Sequence, residues 1–153
     1  FVAAMAGIDI ARTVVAAMGC GLLETSLECV MPRLQDRQAF GKPLIEQQGL
    51  SWQAADVGTD LAAARLLAKE AARPVDAGES ARVAAAHAKR CATRVACDGV
   101  STCMQAMGAD GLKQEFPFSR ALAAAKIAHY IDGTTEIQNV VIARGMRRTY
   151  SEF

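Results

Sequence analysis

A chain of 153 residues with 52% hydrophobic side chains and a formal net charge of +1 has enough apolar material for one domain with a buried core. That balance argues against intrinsic disorder and gives no electrostatic reason to expect nucleic acid or an anionic membrane as the main partner. No apolar run reads as long enough to cross a bilayer and no signal peptide opens the chain, which begins on Phe1 rather than Met and so reads as part of something longer.

Val2 to Gln35 reads as one long helix, with Met5, Ile8, Val15, Met18, Leu22 and Val30 at helical spacing and Ala between them. Gly19 and Gly21 allow a neighbour to approach closely, and Pro32 should kink the last turns. Asp36 to Pro43 reads as a loop. A second helix runs from about Leu44 to Ala72, with Leu50, Val57, Leu61, Ala64 and Ala68 facing inward; Pro74 and Gly78 then mark a turn. The third, rich in Ala and Cys, covers Glu79 to Met107 and stops at Gly108-Ala109-Asp110-Gly111. A shorter fourth helix starts near Pro117, a favoured first-turn position, and ends near Tyr130. The last runs from Thr135 to about Arg148 and should bury Ile137, Val140, Val141 and Ile142. No stretch sustains a period-two alternation, so no sheet is expected. The fold class is all-α, an antiparallel helical bundle of the four-helix-bundle type with three long helices and two shorter ones.

The cysteines are Cys20, Cys29, Cys91, Cys97 and Cys103. An odd number, no CxxC pair and positions inside helices favour reduced thiols in a cytosolic protein. Neither His87 nor His129 stands at ligand spacing from a second ligand-type residue, so no metal site is expected.

Between the fourth and last helices, Asp132-Gly133 forms a short loop. Thr135 and Gln138 fit a capping box, and the Asp132 carboxylate stands beside a helix N-terminus that favours anions. By itself an Asp-Gly between helices is more often turn chemistry than a catalytic site.

Three stretches together are more specific. Arg37-Gln38-Ala39-Phe40-Gly41-Lys42-Pro43-Leu44 with Gln48 resembles the RxxFGxPL…Q signature of the acyl-CoA dehydrogenase family. Gln105-Ala106-Met107-Gly108-Ala109-Asp110-Gly111, with Glu115, Pro117 and Arg120, is similar to that family's Gly-Gly turn. Tyr130-Ile131-Asp132-Gly133-Thr134-Thr135-Glu136-Ile137-Gln138 resembles its Y-E-G-T-x-x-I-Q loop, and Asp9-Ile10-Ala11-Arg12 suits the family's first C-terminal helix. The motifs stand in family order from one end of the chain to the other.

The resemblance implies the C-terminal helical domain (residues 1–153) of an FAD-dependent acyl-CoA dehydrogenase, without the N-terminal helical and middle β domains. It implies an acyl-CoA substrate, an electron-transfer flavoprotein or other acceptor, a homo-oligomer (dimer or tetramer), and a cytoplasmic or, in a eukaryote, mitochondrial matrix location. On its own such a fragment should neither hold flavin firmly nor turn over. The alternative is a non-catalytic assembly module that kept the bundle.

The same resemblance assigns roles. Arg37 contacts the FAD diphosphate through its planar fork of donors, unless it is a solvated loop arginine. Phe40 packs on the cofactor or plugs the bundle end, and Gln48 is an adenine-side contact or a surface helix residue. Gln105, Gly108 and Ala109 form the second cofactor turn, where Ala109 replaces a family glycine. Thr134 and Glu136 stand where the family contacts FAD at the start of the last helix. Asp9, Arg12, Ile131 and Gly133 lie toward the acyl-CoA, with an Arg12–Asp9 salt bridge as the competing role for that arginine.

Asp132 occupies the place of the family's catalytic glutamate, the base that removes a proton next to the thioester carbonyl. It is shorter by one carbon–carbon bond, about 1.5 Å. Some family members carry the base on the first helix instead, at the position that is Ala11 here. Ala123-Ala124 replaces a charged Arg-Asp pair common in the family.

Overall fold

The computed structural model describes residues 2–151, with side chains from residue 6 onward, so Met5 lies outside the described side chains. Five helices make up the bundle: α1 (Val2–Asp36), α2 (Gln48–Asp76), α3 (Arg82–Met107), α4 (Phe118–Ala128) and α5 (Thr135–Thr149). The all-α class expected from the helical periodicities holds.

Helix α3 is the centre of the packing, touching α1, α2, α4 and α5. Its buried face is mostly small: Ala85, Ala88, Ala92, Ala96 and Gly99 are all inside. Small residues let backbones approach, and Gly19 of α1 does so. A Cβ built there would lie 3.0 Å from the Ala92 carbonyl oxygen. Gly21 faces open space and mediates no such approach. Larger side chains fill the remaining volume, among them the fully buried Leu23, Leu34 and Phe118.

Several boundaries differ from expectation. The loop after α1 contains a two-residue antiparallel pair, β1 (Gln38–Ala39) with β2 (Lys42–Pro43), in the register Gln38↔Pro43 and Ala39↔Lys42. Phe40 and Gly41 both have positive φ, 55° and 80°, as the tight mirror-image hairpin turn requires. Strands this short cannot show an alternation, so the periodicity search misses them.

Helix α2 starts at Gln48, after a 3-10 turn over Leu44–Glu46, and carries Pro74 inside its last turn rather than ending before it. Proline removes one amide donor, yet Ala77 N–H still bonds the Arg73 carbonyl at 3.1 Å and the helix persists to Asp76.

Helix α5 buries Val141 as expected, and Gln138 with it, and Ile142 is half-buried; for Ile137 and Val140 the expected burial fails, because α5 rests chiefly on α3 and leaves its other side uncovered. Ala6–Asp36 of α1 is, by length and composition alone, long and apolar enough to cross a membrane. That corrects the expectation of no such run. The core helix of a bundle meets the same criterion, and α1 packs along α3 and α2.

Candidate functional site

The segment between α4 and α5 is built from two consecutive left-handed residues, Asp132 at φ 51° and Gly133 at φ 91°. For glycine this costs nothing, but a residue with a Cβ resists it by about 1 kcal/mol or more. Only Phe40 and Asp132 adopt positive φ among the described non-glycine residues.

The loop's carbonyls meet buried donors from three helices. Arg12 of α1 donates from Nε to the Asp132 carbonyl at 3.1 Å. Lys89 of α3 donates from Nζ to the Gly133 carbonyl at 2.6 Å, and Gln138 of α5 donates from Nε2 to the same oxygen at 2.8 Å. All three donors are buried, with Lys89 only 1% exposed. A Cβ added to Gly133 would sit 3.1 Å from the Gln138 amide nitrogen and 3.3 Å from Arg12, so glycine is needed for space as well as for angle. Asp132 itself is exposed, as is Ile131.

The expected capping box does not form. Thr134, not Thr135, is the residue before α5, and it makes no side-chain cap bond to the backbone. Gln138 donates its amide to loop carbonyls instead of accepting from a free N–H. Thr135 Oγ1 lies 3.0 Å from His129 Nδ1.

Charges around the loop are unevenly matched. Asp9 pairs with Arg12 at 3.4 Å, so the expected competing salt bridge exists alongside the Arg12 bond to the loop. Burial pushes the Asp9 carboxyl above its usual range, with Arg12 and Arg82 opposing it. Burial likewise holds the Lys89 ammonium below its ordinary range; Arg12 adds to this and Asp132 opposes it. No carboxylate lies within 4 Å of Lys89 among the described residues. A hydrogen bond from Thr134 holds the exposed Glu136 carboxyl below its ordinary range.

A second cluster stands at the opposite end of α1. The Arg33–Asp110 ion pair, 3.0 Å, fastens the end of α1 to the turn after α3, and Lys113 meets the other Asp110 oxygen at 2.6 Å. The hydrogen bond from Lys113 is the main reason that the Asp110 carboxyl is depressed. With Asp110 so engaged, Arg37 is left exposed with no carboxylate within 4 Å among the described residues.

Phe40, beside it on the hairpin, is 97% exposed. Gln47 Nε2 donates to the Ala39 carbonyl at 2.9 Å and ties the hairpin to the start of α2, where Gln48 is exposed. Gln105, Gly108 and Ala109 are exposed at the end of α3, and Gly108 has φ 68° with nothing within 4 Å of an added Cβ. An unpaired guanidinium, an uncovered ring and an open glycine turn fit a group carrying both a flat surface and phosphates.

The sequence-predicted residues thus fall into two groups. Asp9, Arg12, Ile131, Asp132, Gly133, Thr134 and Glu136 gather at one end of the bundle; Arg37, Phe40, Gln48, Gln105, Gly108 and Ala109 gather at the other. Arg12 and Arg33 are separated by about six turns of α1, roughly 30 Å at the helical rise. Lys89 was missed in the sequence. The available signal was a lysine on the apolar stripe of α3, four residues after Ala85 and three before Ala92. Among the described residues no three His, Cys, Asp or Glu side chains cluster to hold a metal, and the five thiols are free.

Residues 1–147 match the family described as acyl-CoA dehydrogenase, C-terminal domain. The short/branched chain specific acyl-CoA dehydrogenase of Rattus norvegicus mitochondria is 35% identical over 147 residues, covering 96% of this chain and 34% of that protein. The structure of butyryl-CoA dehydrogenase from Megasphaera elsdenii superposes with a TM-score of 0.87 at 34% identity, over 91% of this chain and 36% of that one. The structure of PigA with FAD and proline superposes with a TM-score of 0.86 at 27% identity, over 91% and 36%. The chain spans little more than a third of the length of each.

Proposed function

The chain belongs to the acyl-CoA dehydrogenase family, matching its C-terminal domain over residues 1–147, and from that premise we propose that it is the C-terminal part of a longer FAD-dependent enzyme that converts an acyl-CoA thioester to its 2,3-enoyl form. The N-terminal helical and middle β domains of that enzyme would precede this one. Asp132 is the base.

Its carboxylate accepts the proton from the carbon next to the thioester carbonyl, while hydride leaves the following carbon and the electron pair of the broken α C–H bond becomes the new C=C bond. FAD, when bound, supplies the two-electron acceptor for that hydride, and an electron-transfer flavoprotein or another acceptor takes the electrons onward. The observation that carries this assignment is the loop itself. Its carbonyls are drawn onto Arg12, Lys89 and Gln138 while the Asp132 carboxyl stays exposed beside the N-terminus of α5. Ile131 and Gly133 border the acyl end, and Arg12 and Asp9 support the loop from beneath.

Arg37, Phe40, Gln48, Gln105, Gly108 and Ala109 form the opposite contact surface for FAD, with Arg37 on its phosphates. Thr134 and Glu136 approach the cofactor from the Asp132 side, where a carboxylate suits a ribose hydroxyl better than a phosphate. Because the two groups lie roughly 30 Å apart along α1, one FAD is held between chains, each contributing a different end. An exposed apolar stripe on α1, Ile10, Val14 and Met18, supplies surface for such an assembly.

The test is dehydrogenation of acyl-CoA substrates by the longer protein containing this chain. We expect 2,3-enoyl-CoA product, and a loss of about a hundredfold or more in kcat for Asp132→Asn with flavin content retained. An Asp132→Asn enzyme as fast as wild type would exclude Asp132 as the base. Absence of turnover in a flavin-loaded wild type would leave the assembly module as the better account.

A further inference from the structure

Lys89 is an expensive residue for this fold to hold. The residue is 1% exposed, and its ammonium makes a single hydrogen bond, to the Gly133 carbonyl, with no carboxylate within 4 Å among the described residues. Taking an ammonium out of water without a direct counter-ion is costly, and a methionine of similar volume would fill the space without that penalty. What the ammonium adds is a strong donor and a positive charge directly beneath the 132–133 backbone.

We propose that Lys89 is a positioning residue for Asp132: with Arg12 and Gln138 it locks the left-handed 132–133 backbone so that the carboxyl is presented outward at a fixed place. The role depends on Asp132 being the base. The two residues whose carbonyls are held both have left-handed φ, and that conformation opposes the general preference of a residue with a Cβ at position 132. The donors from three helices provide the restraint that a strained loop needs.

The ammonium is set against its surroundings: burial and then Arg12 disfavour it, and Asp132 favours it. His129, at the end of α4, is a further titratable group that feels the Lys89 charge. Arg12 is largely committed to Asp9, which leaves Lys89 as the cation not matched by a carboxylate of its own.

The experiment uses the longer protein and the variants Lys89→Met, Lys89→Gln and Gln138→Leu, with flavin content and oligomeric state measured as checks of folding. Hydrogen exchange over residues 131–135 reads the restraint. We expect Lys89→Met and Gln138→Leu to exchange at least about tenfold faster there, with the amides of α3 from 95 to 100 unchanged.

Steady-state kinetics read the positioning of the carboxyl. KM should change less than about threefold while kcat falls. Unchanged loop exchange in Lys89→Met, or a kcat equal to that of wild type, would overturn the proposal. If Lys89→Met does not fold, Lys89→Gln, uncharged and one bond shorter, decides the question through loop exchange and kcat. A wild type without turnover would reject the proposed function instead, and loop exchange alone would then decide the restraint.

Discussion

Asp132 is held on a backbone that glycine would occupy more comfortably. The strain is local and most of the restraint comes from afar, since Arg12 and Lys89 are distant in sequence yet converge with Gln138 on two carbonyl oxygens. His129 shows the same dependence on surroundings. Burial holds its imidazole below the ordinary value of 6.5, Lys126 adds to the effect, and Thr135 meets its Nδ1. A histidine kept neutral in the fold but free to protonate when unfolded lets the unfolded state take up more protons as pH falls through about 6.5. Its contribution to stability is therefore present at neutral pH and is lost as pH falls through the interval between 6.5 and the lower folded value. Thermal melts of this chain between about pH 7.5 and pH 5.5 should show a falling midpoint, and His129→Gln should flatten that slope. Equal slopes would contradict the assignment.

Along each helix, most of the architecture is legible in the spacing of apolar residues. The inner stripe of α2 was read directly from spacing, and Val57, Leu61 and Ala64 are buried as expected. What spacing could not convey was tertiary context. Pro74 reads as a terminator because it lacks a donor, but one missing bond in a last turn is affordable when the bonds around it survive. The β1–β2 hairpin is too short to carry a period. Lys89 shows its part only when the stripe of α3 is placed against the 131–134 loop, and Ile137 and Val140 read as core although both are exposed.

Two neighbouring glycines of α1 differ in their surroundings, because Gly19 is packed on α3 and Gly21 is not. Gly19→Val should cost about 1–3 kcal/mol by pushing α1 from the Ala92 backbone. Gly21→Ala, in open space within a helix, should gain about 0.5–1 kcal/mol. Denaturant midpoints of the two variants check both signs. Equal effects would mean that the α1–α3 approach is looser than drawn.

Across the whole molecule, the same rod, α1, carries one part of the candidate site near each end. Residues that the three sequence motifs assign to one cofactor are therefore split between two places in a single chain. The motifs identify the residues but not their distribution, because a sequence pattern holds no information about which copy supplies each contact. A symmetric assembly resolves this if the Arg37 end of one copy faces the Asp132 end of another. Complementation in the longer protein tests that arrangement most directly. Arg37→Ala and Asp132→Asn should each abolish most activity when made alone. Co-expressed, they should recover about a quarter of wild-type activity, since half of randomly paired dimers are hybrids and one of the two sites in each hybrid is intact. No recovery in demonstrated hybrids would contradict a site shared between chains.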